Sequence, residues 1–199
     1  AFFFKFALQN FLMENNIDLN QEISFETFKK QVLEDYRLIV TSREASLLGR
    51  REVLNGKAKF GIFGDGKELP QIALSKVFQK GDYRSGYYRD QTFMMSINEL
   101  TVKQLFSGLY ANTDINEEPM SAGRQMGAHF NTPFLNKDGT WKNLIDLKNS
   151  SSDVSCTGSQ MPRLLGLAQA SKLYRKLKVK NASKFSNNGN EIAWGTIGN

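Results

Sequence analysis

The sequence predicts an α/β fold, with a parallel sheet flanked by helices over residues 58–199 and a helical N-terminal arm over residues 1–57. Near the C-terminus, a helical pattern from about Gln160 to Lys178 precedes residues 191–197, whose apolar character is typical of a buried strand. A glycine follows this segment. Parallel α/β units place a ligand-binding loop at the carboxyl end of a strand, so this order favours a parallel sheet.

The N-terminal arm is predicted to be helical because its apolar residues recur at spacings of three and four. From Phe25 to Ile39 they form one stripe on one helix face, and Ser24 is suited to cap the helix. A stripe of this kind is typical of a packing surface. Glycines become frequent after Lys59, and Pro70 is placed to begin a short helix.

The middle of the chain combines one further predicted helix with a long irregular stretch. Ser96 and Glu99 have the spacing of a capping box ahead of apolar residues that end at Leu109. From Thr113 to Ser159 no period is sustained, and Asn, Gly, Ser and Asp are abundant. Irregular stretches of this length inside a compact domain are usually functional, so we expect site-bearing loops here.

Composition excludes several classes of protein. The chain has 199 residues, of which 40% are hydrophobic and 23% charged, so it can bury a core and is not expected to be disordered. Its one cysteine, Cys156, cannot form an intramolecular disulfide, which fits a reducing compartment such as the cytoplasm. Its one histidine, His129, excludes multi-histidine metal sites. No apolar run is long enough to predict a membrane span.

The net charge of +6 permits a nucleic acid, an anionic cofactor or an acidic protein as partner, and does not choose among them. The densest basic cluster, residues 172–180, is interpreted as the solvated face and last turn of a helix. A basic nucleic-acid-binding module stays open as an alternative. It is supported only by the charge and by the aromatic content of 12%, and no motif favours it.

Nucleotide and nucleophile motifs are absent. The sequence has no Gly-x-Ser-x-Gly elbow, no Walker-type phosphate loop and no complete Gly-x-Gly-x-x-Gly. Gly64-Asp65-Gly66 looks like the start of a diphosphate-binding motif. However, no strand, loop and helix with an Asn-Asn pair follow it at the required spacing, since Asn187-Asn188 is too distant. We therefore do not assign diphosphate binding to this loop.

Three segments together resemble a known family. They are Gly-Tyr-Tyr-Arg-Asp at residues 86–90, Gly-Arg-Gln-Met-Gly-Ala-His-Phe at 123–130 and Ser-Cys-Thr-Gly-Ser-Gln-Met-Pro at 155–162. In this order they resemble the alpha subunit, or alpha half, of the thiamine-diphosphate-dependent first component of 2-oxo-acid dehydrogenase complexes. The branched-chain enzyme is most similar, because its alpha subunit carries a Gly-Arg-Gln-Met-x-x-His run. The resemblance covers about residues 59–199.

The resemblance implies a partial thiamine-diphosphate-binding fold and assigns cofactor contacts to the first segment. Tyr88 and Arg89 match a pair that contacts the cofactor, with the arginine on the diphosphate side. An arginine fork suits diphosphate oxygens. Arg84 matches no family position, and we expect it to be a surface base whose loss costs little.

The other two segments are implied to border the reacting centre. Ser155 would supply a hydroxyl, and Thr157 a main-chain contact, to the aminopyrimidine ring. His129, in a loop with Arg124, would border the substrate channel and donate to a developing oxyanion. The family usually has proline where this sequence has Gly127.

The last two residues match the start of the family's Gly-Asp/Glu-Gly motif, whose acidic side chain binds the magnesium ion that bridges the diphosphate. Asn199 stands at that position, and its amide oxygen can ligate magnesium without bringing a charge. Because the rest of that motif does not follow, we expect the chain to be a piece of a longer polypeptide, truncated at the diphosphate loop and inactive alone.

The function implied by the resemblance is the oxidative decarboxylation of branched-chain 2-oxo acids, with transfer of the acyl group to a lipoyl carrier. The implied partners are a beta subunit or fused beta half, which holds the activating glutamate, and the lipoyl-bearing second component of the complex. An oligomer in the cytoplasm is expected, with no nucleic acid and no membrane as partner. Another thiamine-diphosphate enzyme, of transketolase-like type, stays open as an alternative.

Overall fold

The computed structural model describes residues 23–177 and 179–197, and the chain divides into two compact units, residues 1–36 and 37–199, each described by itself. Residues 1–22 of the predicted arm, together with Gly198 and Asn199, lie outside the described residues. The described helices are α1 (Phe25–Leu54), α2 (Glu68–Val77), α3 (Gln91–Ser96), α4 (Val102–Leu109) and α5 (Gln160–Lys176), and the strands are β1 (Tyr83–Ser85), β2 (Asn149–Ser150) and β3 (Ala193–Gly195).

Within its described part, the second unit is mixed α/β, with a small three-stranded parallel sheet flanked by helices. The prediction of an α/β fold with a parallel sheet is confirmed at this level. The strand order is β2-β1-β3, and β1 is parallel to both neighbours. The carboxyl ends of the three strands therefore lie at one edge, and the segments that follow them (86–90, 151–157 and 196–197) begin side by side.

The strand predicted at residues 191–197 is present but is shorter and less buried than expected. β3 covers Ala193–Gly195, and its first two residues are half-buried while Gly195 is exposed. The reason is its place at the edge of the described sheet, where α5 covers it on one side. Gly195 allows this helix to approach, because a Cβ there would lie 2.5 Å from Leu164 Cδ2.

Helix α1 begins where the sequence predicts. Ser24 Oγ accepts a hydrogen bond from the Thr27 main-chain N–H at 3.2 Å, so the predicted N-cap is confirmed. In the second unit the buried positions of α1 are small residues, and they are not part of the predicted apolar stripe. At Gly49 a Cβ would lie 2.4 Å from Phe63 Cε1, so this close approach requires glycine.

A buried hydrogen-bonded group joins α1 to α3. It consists of Ser42, Ser46, Gln91 and Thr92, here called the polar seam, and all four residues are buried. Gln91 Nε2 donates to Ser42 Oγ at 3.0 Å and to Ser46 Oγ at 2.8 Å. The Ser42 and Thr92 hydroxyls lie 2.6 Å apart. Buried polar groups cost little when they are paired in this way.

The capping box predicted at Ser96 and Glu99 is wrong. Ser96 is the last residue of α3, and the capping box of the next helix is formed by Thr101 and Gln104, with Thr101 Oγ1 accepting from the Gln104 main-chain N–H at 3.2 Å. Both pairs fit the same sequence pattern. Asn98 decides between them, because its left-handed φ of 63° keeps residues 96–99 out of a continuous helix.

The apolar core of the second unit lies beside the sheet. Phe78 and Phe93 are almost fully buried and meet edge to face, with ring centroids 5.2 Å apart. Trp194 packs its ring 6.3 Å from Phe78, which connects β3 to this core. The stretch predicted to be irregular, 113–159, contains only β2 and one 3-10 turn among its regular elements. No helix in the described part combines the length and apolar character needed to cross a membrane.

Glu68, the first residue of α2, makes a buried contact with the loop before it. Its carboxylate accepts from Arg43 at 2.6 and 2.9 Å and from the Gly66 main-chain N–H at 3.0 Å. These hydrogen bonds lower the pKa of Glu68 below its ordinary value of 4.5, and the bond from Arg43 has the largest effect. Pro70 lies in the first turn of α2, as expected, but is not its first residue.

Replacing Glu68 by glutamine is expected to lower the free energy of unfolding at pH 7 by about 1.5–3 kcal/mol, because hydrogen bonds to a charged group are lost. A lowered folded-state pKa contributes stability above the unfolded-state value and loses it as pH falls through the folded-state value. The difference from the unmodified protein should therefore shrink below pH 4.5. Urea unfolding at several pH values measures this. The exposed Glu44→Gln is the control, and a loss that does not change with pH would contradict the assignment.

Candidate functional site

The segment 86–90 follows β1 directly and carries Tyr88 and Arg89, the pair to which the resemblance assigns cofactor contacts. The guanidinium carbon of Arg89 lies 5.8 Å from the Tyr88 ring centroid, so the two side chains are adjacent. Arg89 also lines a cavity of about 450 Å³, together with Arg50 and Asp65. Its buried Nε has no hydrogen-bond partner within residues 23–177 and 179–197. The charged guanidinium of Arg89, at the wall of this cavity, suits an anionic group.

The cavity has both charged and apolar lining. Arg50 is held by Asp65 at 2.6 Å, so that guanidinium is already paired. The apolar lining consists of Val53, Leu54, Gly61, Ile62 and Phe63. Of the two arginines that line the cavity, Arg89 is therefore the one that is not paired with Asp65. It lies beside an apolar wall.

The loop Gly64-Asp65-Gly66 packs directly against this segment. A Cβ at Gly64 would lie 2.4 Å from the Arg89 carbonyl oxygen, so the close approach of two main chains requires glycine there. The same carbonyl accepts from Gln71 Nε2 at 2.8 Å. These contacts give the loop a structural role in holding Arg89.

His129 and Ser155, predicted separately as site residues, are in contact. His129 Nε2 lies 2.8 Å from Ser155 Oγ, and His129 Nδ1 lies 3.4 Å from the Gly127 carbonyl oxygen. A carbonyl can only accept, so in the neutral ring Nδ1 carries the proton and Nε2 accepts from the Ser155 hydroxyl. Donation from Nε2 to a substrate oxyanion, the role that the resemblance implies, therefore requires a further proton on the ring.

The remaining predicted residues are placed as follows. Thr157 is exposed, in the loop that leads into α5, and the neighbouring Cys156 is an exposed free thiol. Arg124 is also exposed, and its Nε donates to the Ser121 carbonyl at 2.9 Å. The predicted magnesium ligand Asn199 lies outside the described residues. The described residues contain no group of three or more His, Cys, Asp or Glu side chains able to hold a metal ion.

The prediction that Arg84 is a surface base is wrong. Only 1% of Arg84 is exposed, because it points inward from the central strand β1. Its guanidinium donates to Asp90 Oδ2 at 2.7 Å, to Ser150 Oγ at 2.6 Å, to Asp153 Oδ2 at 3.2 Å and to the Tyr87 carbonyl at 3.2 Å. We call Arg84, Asp90 and Asp153 the buried ion cluster.

The buried ion cluster places two carboxyl groups around one guanidinium. Burial, with Asp90 nearby, raises the pKa of Asp153 despite the opposing effect of Arg84. Burial alone would lower the pKa of Arg84, but Asp153 and Asp90 outweigh it and the pKa is raised. Arg84 therefore stays charged. No local sequence pattern marks this cluster, because Arg84 stands in a strand of three residues, too short to show an apolar period.

Glu118 is a further residue that the sequence did not single out. Its carboxylate accepts from the main-chain N–H groups of Met120, Ser121 and Gly123 at 2.9–3.0 Å. Burial alone would raise the pKa of Glu118. The three main-chain hydrogen bonds and a fourth from the Ser121 hydroxyl have a larger, opposite effect, so the pKa is lowered. Gly123 has a φ of 71° and approaches the Ala111 carbonyl. Glu118 therefore shapes the turn that begins the second predicted segment.

Comparison with models of known protein families gives no match for this chain, and comparison with curated proteins also gives none.

Proposed function

We propose that this chain is the alpha part of a thiamine-diphosphate-dependent 2-oxo-acid dehydrogenase, which oxidatively decarboxylates branched-chain 2-oxo acids and transfers the acyl group to a lipoyl carrier. The supporting observation is that hydrogen bonds join the three segments resembling that family: Asp90 and Phe130 bond to the buried ion cluster, and Ser155 Oγ lies 2.8 Å from His129 Nε2. Asp90 and Asp153 both accept from Arg84, and Asp153 also accepts from the Phe130 main-chain N–H at 3.1 Å. Segments 86–90, 123–130 and 155–162 are thus held near one edge of the sheet.

The residues around this edge suit the cofactor. Arg89 lines the cavity of about 450 Å³, and its guanidinium fork suits diphosphate oxygens. Tyr88, in contact with Arg89, would support the same group. Ser155 and the Thr157 main chain would contact the aminopyrimidine ring. When bound, the cofactor supplies an electron sink for decarboxylation.

His129 and Ser155 can hold and move a proton in the proposed reaction. With Nδ1 hydrogen-bonded to the Gly127 carbonyl, His129 accepts the Ser155 hydroxyl proton at Nε2. Protonated at Nε2, the ring would donate to Ser155 Oγ, and the Ser155 hydroxyl proton would then be free for donation to an oxyanion. The pair would thus orient the ring in both protonation states.

Magnesium and the partners complete the proposed site. Asn199 would provide an amide oxygen, and the diphosphate itself the remaining negative charge near the metal. The beta subunit or fused beta half would supply the activating glutamate, and the second component would supply the lipoyl group. The net charge of +6 suits an acidic lipoyl-bearing partner. The exposed free thiol of Cys156 suits a cytoplasmic location.

The test is a cofactor titration and a substrate panel on the complete enzyme, with its beta part present. Thiamine diphosphate should bind in a magnesium-dependent manner, and branched-chain 2-oxo acids should be decarboxylated with a lipoyl acceptor. The 199-residue chain alone should stay at background. Turnover of ketose phosphates instead would favour the transketolase-like alternative. Absence of thiamine diphosphate binding would overturn the proposal.

A further inference from the structure

We propose that Arg84 is the positioning residue of the candidate site: one guanidinium fixes the Tyr88-Arg89 turn, the His129–Ser155 pair and the end of β3 relative to one another. These connections exist within the chain itself and do not depend on a cofactor. Their consequence for cofactor binding rests on the proposed function. Arg84 itself, with 1% of its surface exposed, touches no ligand and acts through its neighbours.

The first connection closes the turn that carries Tyr88 and Arg89. Arg84 Nε and Nη2 donate to Asp90 Oδ2 at 3.0 and 2.7 Å, and Nη2 also donates to the Tyr87 carbonyl at 3.2 Å. The Tyr87 main-chain N–H donates to the same carboxylate oxygen at 3.3 Å. Both ends of the turn are thus bonded to one guanidinium–carboxylate pair, and the two site residues lie between them.

The second connection fixes the His129–Ser155 pair. Arg84 Nη2 donates to Asp153 Oδ2 at 3.2 Å, and Nη1 lies 3.1 Å from Oδ1 as an ion pair. Asp153 Oδ2 also accepts from the Phe130 main-chain N–H at 3.1 Å. His129 is adjacent to Phe130 in sequence, and Ser155 is two residues after Asp153. One carboxylate therefore holds the backbone beside each member of the pair.

The third connection reaches the strand that precedes the predicted magnesium ligand. The Thr196 hydroxyl donates to Asp90 Oδ2, the same oxygen that pairs with Arg84. Thr196 directly follows β3 and lies three residues before Asn199. The Asp90 carboxylate therefore joins the segment after β3 to the segment after β1.

Lysine could not replace arginine in this role. The fork of Arg84 donates from Nε to Asp90, from Nη1 to Ser150 and from Nη2 to Asp153. A lysine amine is a single point charge on a flexible stem, without the fixed planar fork. Arg84→Lys therefore keeps the positive charge but loses the simultaneous hydrogen bonds. This variant separates the effect of the fork geometry from the effect of the charge.

Hydrogen exchange measured by mass spectrometry on the full chain tests these connections. In Arg84→Lys, peptides covering residues 86–90, 129–130 and 151–157 should exchange together, at least about tenfold faster. Ile72→Ala is the control, because Ile72 is 97% buried in α2, outside these segments. Equal acceleration of the three segments by both variants, or acceleration of only one segment in Arg84→Lys, would overturn the proposal.

Cofactor titration of the complete enzyme tests the functional consequence. Arg84→Lys should weaken thiamine diphosphate binding by about tenfold to hundredfold, because small misplacements of binding groups are costly, whereas folded Ile72→Ala should bind normally. Unchanged affinity in Arg84→Lys would overturn the positioning role. If the unmodified enzyme binds no thiamine diphosphate, the proposed function fails, and hydrogen exchange still decides the role of Arg84.

A second variant covers the case in which Arg84→Lys does not fold. Asp153→Asn keeps one acceptor oxygen for the Phe130 N–H and removes the charge that pairs with Arg84. We expect residues 129–130 and 151–157 to exchange faster while residues 86–90, still held through Asp90, stay protected. Acceleration confined to residues 86–90 would contradict the proposed connections.

Discussion

Under the proposed function, replacing Arg89 by alanine is expected to lower the affinity of the complete enzyme for thiamine diphosphate by about 10- to 150-fold. The charge-assisted hydrogen bond that is lost is worth about 1.5–3 kcal/mol, and each 1.4 kcal/mol corresponds to a tenfold change in affinity. The structural reason is that Arg89 lines a cavity of about 450 Å³ in which the other arginine, Arg50, is paired with Asp65. Calorimetric titration with magnesium present measures the change.

The control for this prediction is Arg37→Ala. Arg37 is an exposed arginine of α1, and its loss should change affinity and stability little. Arg84 is unsuitable as a control, because it is buried and belongs to the buried ion cluster. Thermal unfolding of each variant separates loss of binding from loss of folding. If Arg89→Ala is folded and binds the cofactor as tightly as the unmodified enzyme, the placement of the diphosphate is wrong.

Replacing Gly86 by alanine is expected to lower the free energy of unfolding by about 3–5 kcal/mol, the range found when a buried ion pair is broken. A Cβ at Gly86 would lie 2.1 Å from Arg84 Cζ. The guanidinium cannot move aside, because Asp90 and Asp153 hold it on both sides. The added methyl group therefore has to displace Arg84 from its partners. Equilibrium unfolding in urea measures the loss.

Gly166→Ala is the matched control for that substitution. Gly166 lies within α5, and a Cβ there would meet no atom within 4 Å. Alanine should stabilise the protein by about 0.5–1 kcal/mol, since glycine is unfavourable inside helices. A Gly86→Ala protein as stable as the unmodified one would show that Arg84 can relocate at low cost.

The sequence predicted those features that depend on local patterns. The cap at Ser24, the helix from Gln160 and the parallel arrangement of the sheet follow from residue spacing and element order, and all are present. The choice between the boxes at Ser96 and Thr101 was not predictable in this way. It depends on the backbone conformation of one residue, Asn98.

The sequence singled out candidate site residues, but the contacts between them were not predictable from it. His129 and Ser155 were each singled out, but their contact joins positions 26 residues apart. Arg84 was misjudged because its partners Ser150 and Asp153 lie 66 and 69 residues away. An arginine in a short segment with no clear apolar period carries no local sign of burial. Only the pairing of β1 with β2 brings these groups together.

The polar seam between α1 and α3 constrains which amino acids can be exchanged without loss of the fold. A one-residue slide of α1 would bring Ser42 and Ser46 out of reach of Gln91 and leave its amide buried without partners, so the seam fixes the register of the two helices. Single replacements at these positions should be poorly tolerated. Apolar residues introduced at all of them together could restore a well-packed contact. In related chains, positions 42, 46, 91 and 92 should accordingly vary in concert rather than one at a time.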